Sequence, residues 1–306
     1  MVSSEEGNTK DMTDNEFLLF DRLEVIKATI NKYGEDNFYL SFSGGKDSTV
    51  VHHLLDMAIP NNKIPRVFCN TGIEYLEIVK FVKSIDDERI EIITPKKNIV
   101  DTLNKVGYPF KSKEHSLKVG QYQKGSRCQS VMKYKEGYLK GSKYQCPEML
   151  LYQYEDDFKL KLSDKCCYEF KKKPFKKWEK ENNKGITITG MMKDEGGQRT
   201  SLNCIVYKND KAVKFHPLAK VNKQWCEWFV ETYNIEICSL YKPPYNFERT
   251  GCKGCPFALH LQEQLALMQM YLPNERIQCE TIWRPVYEEY RRIGYRLDKE
   301  EQLKLL

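Results

Sequence analysis

The feature that most constrains the fold is a glycine pair between a strand pattern and a helix pattern. Residues 38–42 form an apolar, aromatic run of strand length that stops at Gly44 and Gly45. A helical pattern of apolar residues begins at Val50 and repeats one turn later at Leu54. The sequence therefore predicts a strand, a tight turn and the start of a helix in direct succession.

The turn carries the hexapeptide Ser43-Gly44-Gly45-Lys46-Asp47-Ser48. Adjacent glycines let the backbone approach a ligand closely, and the first turn of a helix offers unpaired N–H groups with a partial positive charge. Together with the lysine and the serines, these groups predict binding of a phosphate chain; the alternative is a glycine turn with solvated side chains. The spacing is not that of a Walker A loop. It resembles the PP-loop of the N-type ATP pyrophosphatases, which cleave ATP between its α and β phosphates.

In that resemblance, the serines and glycines of residues 43–48, called the PP-loop below, hold the pyrophosphate of ATP. Lys46 neutralises its charge, and Asp47 serves Mg²⁺ or the turn. Lys46 and Asp47 are therefore the expected catalytic residues.

Composition predicts a globular protein without a membrane segment. The chain has 306 residues, 41% hydrophobic and 30% charged, and no apolar run approaches the roughly 18 residues that a membrane span needs. Residues 1–12 are polar and acidic rather than a signal peptide, so we expect a cytoplasmic protein. In that compartment the eleven cysteines are more often thiols or metal ligands than disulfides.

Positive charge is concentrated in two stretches. Residues 108–144 contain nine Lys/Arg against two acids, with aromatic residues between them, and residues 165–180 form a second lysine-rich cluster. Such stretches favour polyanions, so we expect a nucleotide substrate and, through these stretches, a nucleic acid or a partner subunit. The alternative is a solvated, lysine-rich insertion.

The order of patterns along the chain predicts an α/β fold with a doubly wound, mostly parallel sheet. Strand patterns at residues 38–42, 67–70 and 90–93 alternate with helical ones, and ligands of such sheets lie beyond the carboxyl ends of the strands. Asn70-Thr71-Gly72, at the end of the second strand, is therefore expected beside the PP-loop. A further strand follows at 185–190, and a hairpin turns at Asn209-Asp210.

We predict three parts. Residues 1–36 form an N-terminal helix, residues 37–240 the nucleotide-binding domain, and residues 241–306 a helical, cysteine-containing C-terminal region. The last has helices over 257–271 and, after Pro273, to about Ile293. Residues 107–164 form the basic insertion, whose pattern is weak.

Two cysteine pairs form a candidate metal centre. Cys166-Cys167 and the C-x-x-C motif of Cys252 and Cys255 together supply four thiolates. Four thiolates suit tetrahedral Zn²⁺ or an iron–sulfur cluster, and the spacing alone does not choose between them.

The order of motifs resembles the phosphoadenosine phosphosulfate (PAPS) reductase family, with its adenine nucleotide alpha-hydrolase-like fold. The matching segments run from the PP-loop to the second cysteine pair: Ser43 to Ser48, Asn70-Thr71-Gly72, Lys165-Cys166-Cys167, Gly190 to Arg199, Pro217-Leu218 to Trp225, and Arg249 to Cys255. The resemblance implies that Glu195 and Arg199 bind the anion of the nucleotide. It also implies that Cys166, Cys167, Cys252 and Cys255 hold a four-iron four-sulfur cluster, as in the adenylyl-sulfate reductase branch.

Three departures separate the chain from the true reductases. Met192 and Gly196 replace an arginine and a serine of the anion-binding stretch, and the C-terminal segment lacks the cysteine that attacks sulfur. The PP-loop, usually degraded in the reductases, is complete here. That combination resembles the small subunit of ATP sulfurylase and the PP-loop subunit of DNA phosphorothioation systems, and it favours cleaving ATP over reducing PAPS.

The leading hypothesis is a transferase-like enzyme of sulfur metabolism that forms an adenylate with release of pyrophosphate. Its expected cofactors are ATP, Mg²⁺ and the iron–sulfur cluster. One alternative is a reductase of PAPS or adenylyl sulfate in which Cys279 or a partner supplies the thiol. The other is a nucleotide- or nucleic-acid-binding module, for example in phage defence, with structural zinc and no turnover.

Overall fold

The computed structural model describes residues 12–137, 144–193 and 200–299. Its sheet has six strands in the order β3-β2-β1-β4-β6-β5. Strand β1 pairs in parallel with β2 and with β4, β4 pairs in parallel with β6, and β5 and β6 form an antiparallel hairpin. The predicted mostly parallel α/β sheet is confirmed. The strands are β1 (Phe38–Ser41), β2 (Arg66–Cys69), β3 (Ile90–Ile93), β4 (Ile186–Ile188), β5 (Ile205–Lys208) and β6 (Lys211–Phe215).

Strand β1 occupies the position that matters for a ligand. Its first three residues are buried, as are all four of β2, which explains why both read as continuous apolar runs. Because β1 lies between β2 and β4, the chain leaves its carboxyl end at the point where the strand order reverses, and this is where open α/β sheets bind ligands.

Ten α-helices are present among the described residues, and in several of them a side chain caps the first turn. Thr13 forms a capping box with Glu16, and the Asn222 side chain accepts from the backbone N–H of Trp225. No helix in the described part of the chain is long and apolar enough to cross a membrane. The helices are α1 (Asp14–Tyr33), α2 (Lys46–Ala58), α3 (Leu76–Ser84), α4 (Ile99–Val106), α5 (Lys113–Gln123), α6 (Gln129–Glu136), α7 (Lys173–Glu181), α8 (Lys223–Thr232), α9 (Leu261–Tyr271) and α10 (Pro273–Ile293).

Three helices differ from the sequence prediction, namely α5, α6 and α9. The basic insertion contains α5 and α6, whose 11 and 8 residues are too short and too polar to give a clear period. Helix α9 begins at Leu261 rather than at residue 257. Turn hydrogen bonds from Cys255 N to Cys252 O (3.2 Å) and from Ala258 N to Cys255 O (2.8 Å) take up the backbone before it.

The chain divides into two compact units. The first comprises Met1–Phe68, Lys80–Ile92 and Glu179–Tyr241, and the second comprises Cys69–Val79, Ile93–Trp178 and Lys242–Leu306. Most of the sheet and the PP-loop belong to the first unit, whereas the four candidate ligand cysteines belong to the second. The three-part division at residues 36 and 240 stays a prediction.

Candidate functional site

The PP-loop, in the first unit, is closed by its two serines. Ser43 Oγ and Ser48 Oγ lie 2.9 Å apart, and Ser48 Oγ donates to Gly45 O at 2.9 Å. Gly44 has a φ of +67°, a left-handed conformation that favours glycine. Gly45 is the N-cap of α2 and provides no side-chain cap. The N-terminus of this 13-residue helix therefore has no capping side chain at the place where helices bind anions.

Lys46 makes an ion pair that the sequence does not reveal. Its Nζ lies 3.0 Å from Glu227 Oε1 on α8, and the lysine side chain is 14% exposed. The loop cation is thus held by a carboxylate from a distant part of the sequence. A phosphate that binds here would replace one anionic partner of Lys46 by another.

Gly190, shortly after β4, lies directly against the PP-loop. A Cβ at this position would be 2.8 Å from the carbonyl carbon and oxygen of Asp47 and 3.0 Å from Ser48 N. The end of β4 therefore supports the loop at a distance that only glycine permits. Buried Met192 follows, and it contacts Cys226. Glu195 and Arg199, the predicted anion-binding residues, lie outside the described residues.

In the second unit, Asn70-Thr71-Gly72 folds into a hydrogen-bonded turn. Thr71 donates through its backbone N–H and its hydroxyl to the carboxylate of Glu74 (2.7 Å for each to Oε2), and Gly72 N donates to Asn70 Oδ1 at 3.2 Å. The carbonyl of Ile73 accepts from Lys253 N at 2.8 Å. The motif is therefore tied to the segment that carries the second cysteine pair. Its expected place beside the PP-loop stays a prediction.

Within the second unit, the four predicted ligand cysteines lie near enough for the other three to influence the pKa of Cys166. Burial raises the pKa of the Cys166 thiol, and the neighbouring thiols of Cys252, Cys167 and Cys255 raise it further. Burial first, and the neighbouring Cys252 second, likewise raise the pKa of Cys255 to about 12. A cation bound at this cluster would stabilise the thiolates of Cys166 and Cys255, which burial disfavours.

Lys171 and Glu74 complete this cluster, and sequence analysis missed both. Lys171 Nζ lies 3.3 Å from Glu74 Oε1, and Cys252 is the largest of the partners that raise the pKa of Lys171. Burial lowers the pKa of Lys171, but the negative partners Cys252 and Glu74 outweigh it and hold the pKa above its ordinary value. The sequence signal for Lys171 was its place in the lysine run after Cys167. That run indicated a basic surface in general and did not single out one lysine as a neighbour of the cysteines.

One compact group of possible ligand atoms does not have the character of a metal site. Among residues 12–137, 144–193 and 200–299, the only group of three or more His, Cys, Asp or Glu ligand atoms within 4.8 Å of one another is His52, Asp56 and Asp87. Arg66 pairs with Asp56 at 2.7 Å, and Arg89 pairs with Asp87 at 2.7 Å. Because guanidinium groups already bind both carboxylates, this is a buried ion network of the first unit.

The spacing of the cysteine sulfurs can be compared with that of a zinc site. In tetrahedral zinc sites the sulfurs lie about 2.3 Å from the metal and hence about 3.8 Å apart. No three of the described thiol sulfurs meet even the wider 4.8 Å limit. The cysteines influence the pKa of Cys166, but their sulfurs do not form such a close group in the described part of the chain.

Cys279, considered as the missing nucleophile, is not exposed. Its exposed fraction is 0%, and burial raises its pKa to about 12. A thiol that attacks sulfur must be accessible and ionised. This residue is neither in the structure.

The basic stretches carry cations that lie over aromatic rings. The Arg127 guanidinium is 3.5 Å from the centre of the Tyr122 ring, and Lys135 Nζ is 4.8 Å from the same ring. In the second stretch, Lys176 Nζ is 5.5 Å from the Tyr168 ring. Such contacts hold cations at the surface. The nucleic-acid or partner-subunit role stays a prediction.

The sequence matches the family described as "Phosphoadenosine phosphosulfate reductase domain" over residues 37–151 and 148–258. No curated protein matches. Among solved structures, a PAPS reductase from Candida auris in a phosphate complex is 13% identical, with 80% of this chain and 98% of that one covered and a TM-score of 0.45. The U34-tRNA thiolase NcsA from Methanococcus maripaludis with its [4Fe-4S] cluster is 15% identical, with coverages of 89% and 80% and a TM-score of 0.40. Yeast FAD synthetase with FAD is 11% identical, with coverages of 90% and 86% and a TM-score of 0.44.

Proposed function

The chain belongs to the phosphoadenosine phosphosulfate reductase family, and we propose that it is a PP-loop enzyme that cleaves ATP between the α and β phosphates. Its product would be an adenylate, with pyrophosphate released, in a sulfur-transfer reaction. The observation that carries this proposal is the complete PP-loop at the carboxyl end of β1, followed directly by the uncapped start of α2. This arrangement supports the binding of a phosphate chain at the loop.

Catalysis by this loop would be electrostatic. The N–H groups of the first turn of α2 and the ammonium of Lys46 face an anion whose charge grows as pyrophosphate departs. The Ser43 and Ser48 hydroxyls add donors. Asp47 is the residue we assign to Mg²⁺, which would neutralise charge on the phosphates. Lys46 must exchange Glu227 for the phosphates on binding.

For the cysteines we propose a four-iron four-sulfur cluster held by Cys166, Cys167, Cys252 and Cys255. The influence of the other three thiols on the pKa of Cys166 supports a shared metal centre, and the choice of an iron–sulfur cluster follows the resemblance to the adenylyl-sulfate reductase branch. The ammonium of Lys171 would offset the negative charge of the thiolates. The cluster would bind the sulfur substrate or carry sulfur.

The test is the content of iron, acid-labile sulfide and zinc per chain after anaerobic purification. We expect iron and sulfide in equal amounts, lost in Cys252→Ser and retained in Cys128→Ser, which changes an exposed cysteine outside the set. Zinc without sulfide, or the same iron content in both variants, would replace the cluster with a structural metal site.

We propose that the acceptor of the sulfur is a nucleic acid or a group carried on one. The nucleic acid would bind through Lys124, Arg127 and Lys135 of the basic insertion. Lys124 and Arg127 are exposed, and no acidic partner among the described residues pairs with any of the three cations. Phosphate contacts of this kind make binding fall steeply with salt.

Reversing the charge at these three positions together is expected to weaken binding of a fluorescent single-stranded oligonucleotide at least about tenfold at low salt. The matched control reverses Lys63, Lys83 and Lys208, which are exposed in the first unit. An equal loss in both triple variants would show a net-charge effect and refute a specific surface.

A further inference from the structure

Helix α10 lies outside residues 37–258, the range that matches the family. Side chains along most of this helix nevertheless contact the segment that carries the second cysteine pair. This segment, residues 252–256, is called the cysteine loop below. Trp283 Nε1 donates to Lys253 O at 3.1 Å, Tyr287 Oη donates to Gly254 O, and Tyr290 Oη donates to Pro256 O at 2.9 Å. The three side chains are fully buried.

The spacing of these aromatic residues explains how one helix reaches successive carbonyls. Positions 283, 287 and 290 follow one another at intervals of four and three residues, which places them on one face of the helix. Each ring fills the core, while its polar atom donates to a backbone carbonyl of the cysteine loop; Pro256 O accepts from Arg296 Nη1 as well, at 2.6 Å. Each of the three side chains on this helix face therefore binds a different carbonyl of the cysteine loop.

The first turns of α10 hold the side chain between the two cysteines. Lys253 is 4% exposed; its Nζ donates to Gln278 Oε1 at 2.6 Å and lies 3.7 Å from Glu275 Oε1. A buried ammonium without such partners would be strongly unfavourable. The loop is thus fixed through its side chain as well as through its backbone.

Gly254 shows how closely the helix approaches. Its φ is +59°, and a Cβ there would lie 2.7 Å from the sulfur of Cys279 on α10 and would also overlap the hydroxyl of Tyr287. This packing gives Cys279 a structural place beneath the loop. Only glycine fits between the helix and the two cysteines.

We infer that α10 positions the cysteine pair: Trp283, Tyr287 and Tyr290 hold the cysteine loop in the conformation in which Cys252 and Cys255 bind their metal centre. The metal centre itself rests on the proposed function, whereas the fixed loop does not. A loop ordered before the metal arrives avoids paying the ordering entropy on binding. Residues that orient ligands in this way strongly affect metal affinity.

The experiment measures the reactivity of Cys252 and Cys255 in metal-free protein. Site-specific alkylation by iodoacetamide, followed by mass spectrometry, reports how often the loop opens. We expect Tyr287→Phe to raise both rates about fivefold, the effect of losing one ordinary buried hydrogen bond. Tyr290→Phe should also raise both rates, because it removes the bond from Tyr290 Oη to Pro256 O and the bond that Tyr290 Oη accepts from Lys111 N. The rate at exposed Cys128 should stay constant and serves as an internal reference.

The matched control is Tyr152→Phe, which removes a tyrosine hydrogen bond to Glu289 on the same helix, away from the loop. Rates in Tyr287→Phe and Tyr290→Phe equal to those in Tyr152→Phe would overturn the positioning role. Thermal unfolding midpoints show whether each variant is folded. Faster alkylation in a protein that never takes up iron would leave the positioning role standing and remove the cluster.

Discussion

Replacing Gly190 by alanine would place one methyl group against the backbone of the PP-loop. The added carbon would lie 2.8 Å from the carbonyl carbon and oxygen of Asp47 and 3.0 Å from Ser48 N. Both partners are backbone atoms at the start of α2 and cannot rotate away. The loop or the end of β4 must therefore shift by about 0.5 Å to restore ordinary contact.

Such overpacking typically costs about 1 to 3 kcal/mol. Because the displaced atoms carry the N–H groups proposed to bind phosphate, we expect most of this cost to appear in the nucleotide-bound state. At about 1.4 kcal/mol for each tenfold change, the dissociation constant of ATP should rise about 5- to 100-fold.

The assay is calorimetric titration of ATP with Mg²⁺ into each variant. Gly185→Ala is the matched control, because Gly185 precedes the same strand and an added Cβ there meets nothing within 4 Å. We expect Gly185→Ala to bind ATP like the wild type. Wild-type affinity in Gly190→Ala, or equal losses in both variants, would refute the assignment of the phosphate site to the PP-loop.

Three further changes test other parts of the structure. Glu227→Gln removes the carboxylate that holds Lys46, so ATP should bind about two- to fivefold more tightly at low salt and less so at high salt; unchanged titrations would contradict this. Gly254→Ala should lower the iron content and the thermal midpoint, because the left-handed backbone alone costs about 1–2 kcal/mol, whereas Gly251→Ala, with open space around its Cβ, should change neither. Burial lowers the pKa of His52 to about 4, so between pH 6.5 and 4 the unfolded chain takes up a proton that the folded chain does not. The contribution of His52 to the free energy of unfolding is therefore fully present above pH 6.5 and is lost as the pH falls towards 4. In urea unfolding, the free energy of unfolding of His52→Gln should depend less steeply on pH than that of the wild type, and an unchanged slope would contradict this.

Local sequence signals were sufficient for the sheet and the PP-loop. The strand before Ser43, the glycines and the helix after them are read within one short stretch, and the caps Thr13 and Asn222 mark helix starts through contacts three residues away. Helices α5 and α6 were not predicted, because few apolar residues over so few turns give no clear period.

Contacts between distant residues were beyond local pattern. The ion pair of Lys46 with Glu227 and the approach of Gly190 to Asp47 join segments far apart in the sequence. The assembly of the two cysteine pairs was predicted only through a family resemblance. By contrast, the aromatic spacing from Trp283 to Tyr290 is visible in the sequence, but the sequence does not indicate which segment these side chains contact. The structure shows that they contact the cysteine loop.

The central claim is that the PP-loop cleaves ATP between its α and β phosphates. The most direct measurement follows the products of ATP labelled at the α or the γ phosphate, with Mg²⁺, sulfide and single-stranded oligonucleotides, under anaerobic conditions. We predict AMP or an AMP adduct from the α label and pyrophosphate from the γ label, both absent in Lys46→Ala. Formation of ADP and phosphate, or pyrophosphate no greater than in Lys46→Ala, would contradict the account.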